Sequence, residues 1–251
     1  MMKWRSIACV AALAATVLGL GGAPAAPQKL KVLVVTGHDV LPAHDWRKTT
    51  EKIRAILEEG DRFEVRVVED TGIFEASTLA NYDVIVNNFG FWTAPELSPA
   101  AKAGLLRYVD GGKGLVSMHF ACSSYQEWPE YKDLIGRVWV KNVGGHGPRG
   151  KFTAKIEKPE HPIVAGLSDF EIDDELYAKL TGDAKIDVLV SAFSADFSKK
   201  QEPLVFTKPY GKGRVVQNLF GHDVKVTENA AYRTLLKRCV EWAATGTVTV
   251  K

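Results

Sequence analysis

Little in this sequence leans toward one charged partner. Lysine and arginine number 32 against 30 aspartates and glutamates, a formal net charge of +2. No stripe of basic residues stands out, so the electrostatic footprint of nucleic-acid binding is missing. Cysteine is scarce, with three in 251 residues. Only Cys122 and Cys239 lie beyond the N-terminal segment. Export would permit a disulfide between them, but Cys239 falls on the apolar face of the last helix, so two buried free thiols are expected. There is no Gly-x-Ser-x-Gly elbow, no Walker loop and no His-Glu-x-x-His. Gly211-Lys212-Gly213 lacks the strand-turn-helix context of a phosphate loop, and no nucleotide cofactor is expected. Internal repeats, low-complexity tracts and linkers are also missing, which leaves one domain. What remains is an ordinary globular composition, 46% hydrophobic and 25% charged.

The N-terminus reads as a leader. Lys3 and Arg5 precede an apolar run from Ser6 to Gly22, and Ala23-Pro24-Ala25-Ala26 supplies small residues for cleavage. A single-pass anchor is the competing reading, disfavoured because the run is short and carries glycines. Residues 1–26 are therefore expected to be a signal peptide and 27–251 the mature domain, periplasmic or secreted and off the membrane. Cys9 lies too early in the run to be a lipid-attachment site.

The mature chain alternates strands and helices. Lys29 to Thr36 is a β-branched apolar run, the pattern of a strand buried on both faces. Trp46 to Glu59 has helical spacing, with Asp45 as N-cap and Gly60 as stop. Phe63 to Val68 and Val84 to Asn87 read as strands. Ser98-Pro99 opens a helix that Gly111-Gly112 closes, and Gly114 to Met118 is a fourth strand. Further on the sequence suggests a short helix around Trp128 to Ile135 and a glycine-rich loop from Val143 to Gly150. Strands are expected at Phe152 to Glu157, Asp187 to Ala192, Pro203 to Thr207 and Val215 to Phe220. A last helix from about Thr227 carries Tyr232, Leu235, Leu236, Cys239, Val240 and Ala243 on one face. This rhythm predicts an α/β fold, a mostly parallel sheet flanked by helices on both faces.

In such sheets ligands sit at the carboxyl ends of strands, and three strands end at or near a histidine: His38, His119 and His222. His44-Asp45-Trp46 fits either a helix cap or a cleft wall. His146 lies among glycines, in a ligand-contacting or a plain flexible loop. His161, before Pro162, reads as a structural turn. Asp173-Asp174-Glu175 is either a solvated acidic face or a carboxylate supply for acid/base or metal chemistry. Trp92 and Tyr177 are candidates to stack on a sugar ring or to fill the core. Cys122 follows its strand by several residues, which disfavours it as a nucleophile.

Taken together, several of these segments resemble the trehalose-utilisation (ThuA-like) family. They are His44-Asp45-Trp46, Gly114-Leu115-Val116 through His119, Glu127-Trp128-Pro129-Glu130-Tyr131 and Gly145-His146-Gly147-Pro148. They continue with Glu160-His161-Pro162-Ile163, Asp174-Glu175-Leu176-Tyr177, Tyr210-Gly211-Lys212-Gly213-Arg214, Gly221-His222-Asp223 and Glu241-Trp242-Ala243-Ala244-Thr245-Gly246. The resemblance covers essentially the whole mature chain. It implies a class I glutamine amidotransferase-like (flavodoxin-like) fold. In those amidotransferases a strand ends in a nucleophilic cysteine at a sharp elbow, and a later strand brings a histidine with a glutamate two residues on. Here His119 stands at the elbow, His222 matches the later histidine, and the residue two beyond it is Val224. A thioester mechanism therefore has no basis, and the fold is expected without that function.

The family implies disaccharides such as trehalose, or their 3-keto derivatives, as substrates. On that reading His119, His222, Asp174 and Glu175 are the expected catalytic groups. His38, His44, Trp92, His146, Tyr177 and Asp223 are the expected substrate contacts. A divalent metal is one option, with His119, His146 and His222 as its ligands. A non-catalytic sugar-binding module is the alternative, and a homo-oligomer is left open.

Overall fold

The first apolar run forms β1 (Leu30–Val35) at the heart of the sheet, and Val32 to Val35 are wholly buried. Each such aliphatic side chain contributes roughly 1.5–3 kcal/mol by leaving water. In a computed structural model the protein is described at residues 1–2, 28–38, 42–90, 92 and 95–251. Most of the segment expected to be a signal peptide, residues 3–26 with Cys9, thus lies outside the described residues. Among these, no helix is long and apolar enough to cross a membrane.

After β1 come α1 (Trp46–Leu57), β2 (Phe63–Val68), β3 (Val84–Asn87), α2 (Pro99–Asp110), β4 (Gly114–Met118) and α3 (Pro129–Ile135). The second part holds β5 (Gly145–His146), β6 (Gly150–Ile156), β7 (Phe170–Asp174), β8 (Tyr177–Ala178) and β9 (Asp187–Phe193). The chain closes with β10 (Gln201–Tyr210), β11 (Gly213–Asn218) and α4 (Ala230–Thr245). Nine strands make one sheet in the order β2-β1-β3-β4-β11-β10-β9-β6-β7. The half from β2 to β11 is parallel and builds the strand-end crevice. From β11 onward the pairing is antiparallel, an extension that the sequence rhythm does not distinguish from the parallel part.

Local chemistry sets the helix ends. Asp45 Oδ1 accepts from the Lys48 amide at 3.2 Å and Ser98 Oγ from the Ala101 amide at 3.0 Å, each satisfying an orphan donor of a first helical turn. The last helix begins later than its apolar spacing suggests. Val226–Glu228 is a turn of 3-10 helix, and Asn229 Oδ1 then accepts from the amides of Ala231 and Tyr232. A capping side chain, rather than the first apolar residue, fixes that start.

Helices cover both faces. A Cβ on Gly114 of β4 would lie 2.5 Å from the backbone of Ala243, so only glycine lets α4 approach this closely. By strand alternation Ser117 points to the opposite face, where Tyr131 of α3 takes a hydrogen bond from the Asn87 side chain at 3.0 Å. The segment around His146, for which a plain flexible loop was one reading, is an ordered strand pair. β5 pairs with β8, which places His146 opposite Tyr177. Gly145 is small because the Phe197 ring packs against it, at 2.4 Å from where a Cβ would stand.

Candidate active site

The site begins where β4 ends. His119 opens a single 3-10 turn, His119–Ser123, with φ +36°, a left-handed conformation a non-glycine residue adopts only at some cost. That is the elbow expected at this position. Its Nδ1 lies 2.7 Å from the Leu219 carbonyl oxygen. A carbonyl only accepts, so Nδ1 carries the proton and a neutral His119 turns an unprotonated Nε2 inward.

Met118 of β4 pairs with Asn218 of β11, so the residues beyond β11 arrive beside His119. A buried carboxylate fixes their path. Asp174 accepts from the amides of Gly221 at 2.8 Å, His222 at 3.1 Å and Glu175 at 2.9 Å. Burial raises its pKa above the usual carboxylate value, while His119 and those amides oppose the rise. Asp174 was expected among the catalytic carboxylates. It is instead spent on backbone donors, as a clasp between β7 and the loop after β11.

Glu175 is the carboxylate that faces the histidines. Its Oε2 lies 3.1 Å from His222 Nδ1, 3.6 Å from His119 Nε2 and 3.8 Å from His44 Nε2. Its Oε1 lies 3.4 Å from His146 Nε2. The acidic stretch is therefore not a solvated face at this position: Glu175 is only 8% exposed. The amidotransferase-type carboxylate is missing at Val224, yet His222 still has a carboxylate partner, supplied by another part of the sheet.

His44 completes the group. Its ring stacks on Phe120, with centroids 4.4 Å apart, and its Nε2 is 3.2 Å from His119 Nε2. The Tyr177 hydroxyl touches the same point, 2.7 Å from His119 Nε2 and 3.3 Å from His44 Nε2. Burial, reinforced by the neighbouring imidazoles of His119 and His222, pushes the His44 pKa down to about 3. Burial would raise Glu175, but its contacts with His119 and His222 prevail and hold it well below the usual range. His222 is raised, because Glu175 outweighs the opposing effect of burial. Near neutral pH the cluster thus holds an ionised carboxylate and an uncharged His44.

One ligand atom from each of His44, His119, Glu175 and His222 lies within 4.8 Å of all the others, a set able to hold a metal ion. The set differs from the one expected from sequence. His44 and Glu175 join His119 and His222, whereas His146 stands outside, because the β5–β8 pair holds it against the far oxygen of Glu175. A cavity of about 120 Å³ opens beside the cluster, lined by His44, Trp92, Trp139, His146, Glu175 and Tyr177 among others. Trp92 packs on Phe120 and Trp139. His38 is exposed and lines a small neighbouring cavity that also touches His44, His119 and His222.

Asp223, expected to contact substrate, faces elsewhere. It pairs with Arg149 at 3.1 Å and caps the next turn through the Lys225 amide. Phe120 and Trp139 were not foreseen as cavity walls. Phe120 directly follows the elbow, which is a signal; Trp139 carries none. Cys122 and Cys239 are both buried free thiols. Burial pushes the Cys122 pKa up to about 12, so it is no nucleophile at neutral pH.

This is a glutamine amidotransferase-like fold in which a histidine, not a cysteine, occupies the elbow. The chain belongs to the ThuA family, described as trehalose utilisation, whose profile matches residues 31–243. Among solved structures it is similar to a ThuA-like protein from Parabacteroides merdae, at 26% identity and TM-score 0.78, covering 89% of this chain and 93% of that one. A ThuA-like protein from Bacteroides uniformis matches at 19% identity and TM-score 0.72, covering 90% and 97%. A GMP synthase component from Thermoplasma acidophilum shares the fold at 16% identity and TM-score 0.50, covering 86% and 96%. No curated protein matches the sequence.

Proposed function

We propose that this chain is an exported enzyme of carbohydrate catabolism that moves protons on a 3-keto-glycoside, the 3-keto derivative of a trehalose-type disaccharide. The observation that carries this reading is the convergence of three imidazoles on one ionised carboxylate, Glu175, beside an aromatic-walled cavity at the strand ends. The family's description as trehalose utilisation supports a disaccharide-derived substrate. The basic, apolar, small-residue order of residues 1–26 supports export.

A ketone acidifies the neighbouring C–H bond, so the reaction needs a base and a stabiliser for the oxyanion. The C–H bond breaks, its proton passes to the base, and the electron pair moves onto the ketone oxygen. His146 is the group suited to take the proton. It lines the cavity, is the most exposed imidazole around Glu175, and its Nδ1 is tied to the Gly147 carbonyl at 2.6 Å. That tie leaves Nε2, 3.4 Å from Glu175 Oε1, as the proton acceptor, with the carboxylate beside it to stabilise the imidazolium that forms. The Tyr177 hydroxyl, held by His119 and His44, lines the cavity and is the donor placed to meet the oxyanion. Trp92 and Trp139 suit the apolar face of a sugar ring.

The alternative is a sugar-binding module of the same pathway, favoured only by the aromatic walls. Proton NMR in D2O separates the two. With the 3-keto derivative of trehalose, the hydrogen on the carbon beside the ketone should be lost at least about 100-fold faster than in buffer, the usual scale of acid/base catalysis. Unoxidised trehalose should keep all its carbon-bound hydrogens. Saturable binding with no exchange and no breakdown would replace the enzyme with the binding module.

A further inference from the structure

We propose that His44 Nε2, His119 Nε2, His222 Nδ1 and Glu175 Oε2 form the binding site of one divalent first-row transition ion, of the zinc type. The assignment deepens the reading of the same site but does not rest on its substrate.

Geometry is the first argument. Four of the six separations among these atoms are 3.1, 3.2, 3.6 and 3.8 Å, and one ligand atom of each residue lies within 4.8 Å of the others. A tetrahedral zinc with bonds of about 2.0–2.1 Å has ligand-to-ligand edges of about 3.3 Å. The side chains therefore already stand at roughly the spacing an ion demands. Three imidazole nitrogens and one carboxylate oxygen are also the donor set that such ions favour over magnesium or calcium.

The second argument is that protein hydrogen bonds do not close this cluster. His119 donates through Nδ1 to Leu219, which leaves one lone pair on Nε2. Both the Tyr177 hydroxyl and His44 Nε2 crowd that single lone pair. Glu175 Oε2 and His222 Nδ1 are buried with no hydrogen-bond partner, although they face each other across 3.1 Å. Buried polar atoms without partners are costly. Here they belong to side chains that converge on one point, and a cation there satisfies all four at once.

The third argument is the surrounding support. Metal-binding histidines commonly donate their other ring N–H to a carbonyl, as His119 does to Leu219. Asp174 fixes the backbone on both sides of the site by accepting from Glu175 and His222. These bonds fix the ring of His119 and the backbone that carries Glu175 and His222. An ion there supplies Lewis acidity toward a ketone or hydroxyl oxygen of the substrate.

The test is elemental analysis of the purified chain, followed by chelator stripping and calorimetric titration with Zn2+ alone. Co2+ is then loaded in its place and its visible absorption recorded. One ion per chain is expected, with the Co2+ bands of a four- or five-coordinate nitrogen–oxygen site. Affinity should fall on the order of 100-fold or more in His119→Ala and in the isosteric Glu175→Gln, and stay near wild type in His146→Gln. Circular dichroism confirms folding, and Glu175→Gln carries the test if His119→Ala does not fold. Absence of stoichiometric binding, or equal binding by Glu175→Gln, would overturn the site. Proton exchange without metal overturns this inference and leaves the sugar enzyme standing. Metal without exchange does the reverse.

Discussion

His119 Nδ1 and the Leu219 carbonyl oxygen, 2.7 Å apart, tie the end of β4 to the residues that follow β11. This bond sets the tautomer of His119 and brings the two strand ends that carry His119 and His222 to one place. His119→Asn can keep a donor to Leu219 while losing Nε2. It should fold like the wild type and lose proton exchange by about 10²–10⁴-fold. His119→Ala should lose the same activity and also about 1–3 kcal/mol of stability, because a buried carbonyl is left unpaired. Cys122→Ala should keep its activity. Exchange rates and denaturant melts of the three variants check this, and an active His119→Asn contradicts it.

Asp174 accepts three backbone N–H groups and no substrate contact is assigned to it. Asp174→Ala strands those donors and should cost about 3 kcal/mol or more. Asp174→Asn keeps one acceptor oxygen and should cost less. Urea unfolding of both variants reads the order, and equal stability for wild type and Asp174→Ala would show that the clasp is idle.

Glu241 is a buried carboxylate far from the site. It takes Arg62 Nε at 2.5 Å, the Thr249 amide and hydroxyl at 2.6 Å each, and the Val250 amide at 2.9 Å. These contacts outweigh burial and hold its pKa below the ordinary glutamate value of 4.5. A lowered folded pKa means the stabilisation is present in full above about pH 4.5 and disappears as pH falls through the folded value. Glu241→Gln should therefore lower stability by about 1–3 kcal/mol near neutrality and flatten the acid side of the stability profile. Parallel profiles for the two proteins would contradict the assignment.

The helix–strand contact at Gly114 is equally specific. Gly114→Ala would press its methyl into the backbone of Ala243, which has no side-chain freedom to yield. A loss of about 1–3 kcal/mol is expected by thermal or denaturant melting. An unchanged melt would mean that α4 sits farther from β4.

The parallel half of the sheet was legible because its inner strands, buried on both faces, read as apolar runs, while the edge strand β2 alternates buried and exposed residues; β2, β3 and β4 match their expected limits. The antiparallel extension was less so. β5 and β8 are two residues long, too short for any periodicity, yet their pairing decides where His146 stands. His119 could be read as a strand-end residue. The joining of His44 and Glu175 to it could not, since 75 residues separate His44 from His119 and 56 separate His119 from Glu175. Acidic side chains default to the surface, so nothing local in Asp173-Asp174-Glu175 distinguishes the half-buried ion pair of Asp173 with Arg149 from the buried clasp of Asp174 or the site carboxylate Glu175.

In the proposed site His119 and Glu175 act as one unit. A double-mutant cycle of His119→Asn and Glu175→Gln, read as kcat/KM for proton exchange on a 3-keto-disaccharide, tests it most directly. Groups that work together lose nearly everything with the first substitution. The double variant should be no slower than the slower single variant. Losses that multiply across the cycle would mean the two residues contribute independently, and would contradict a shared site.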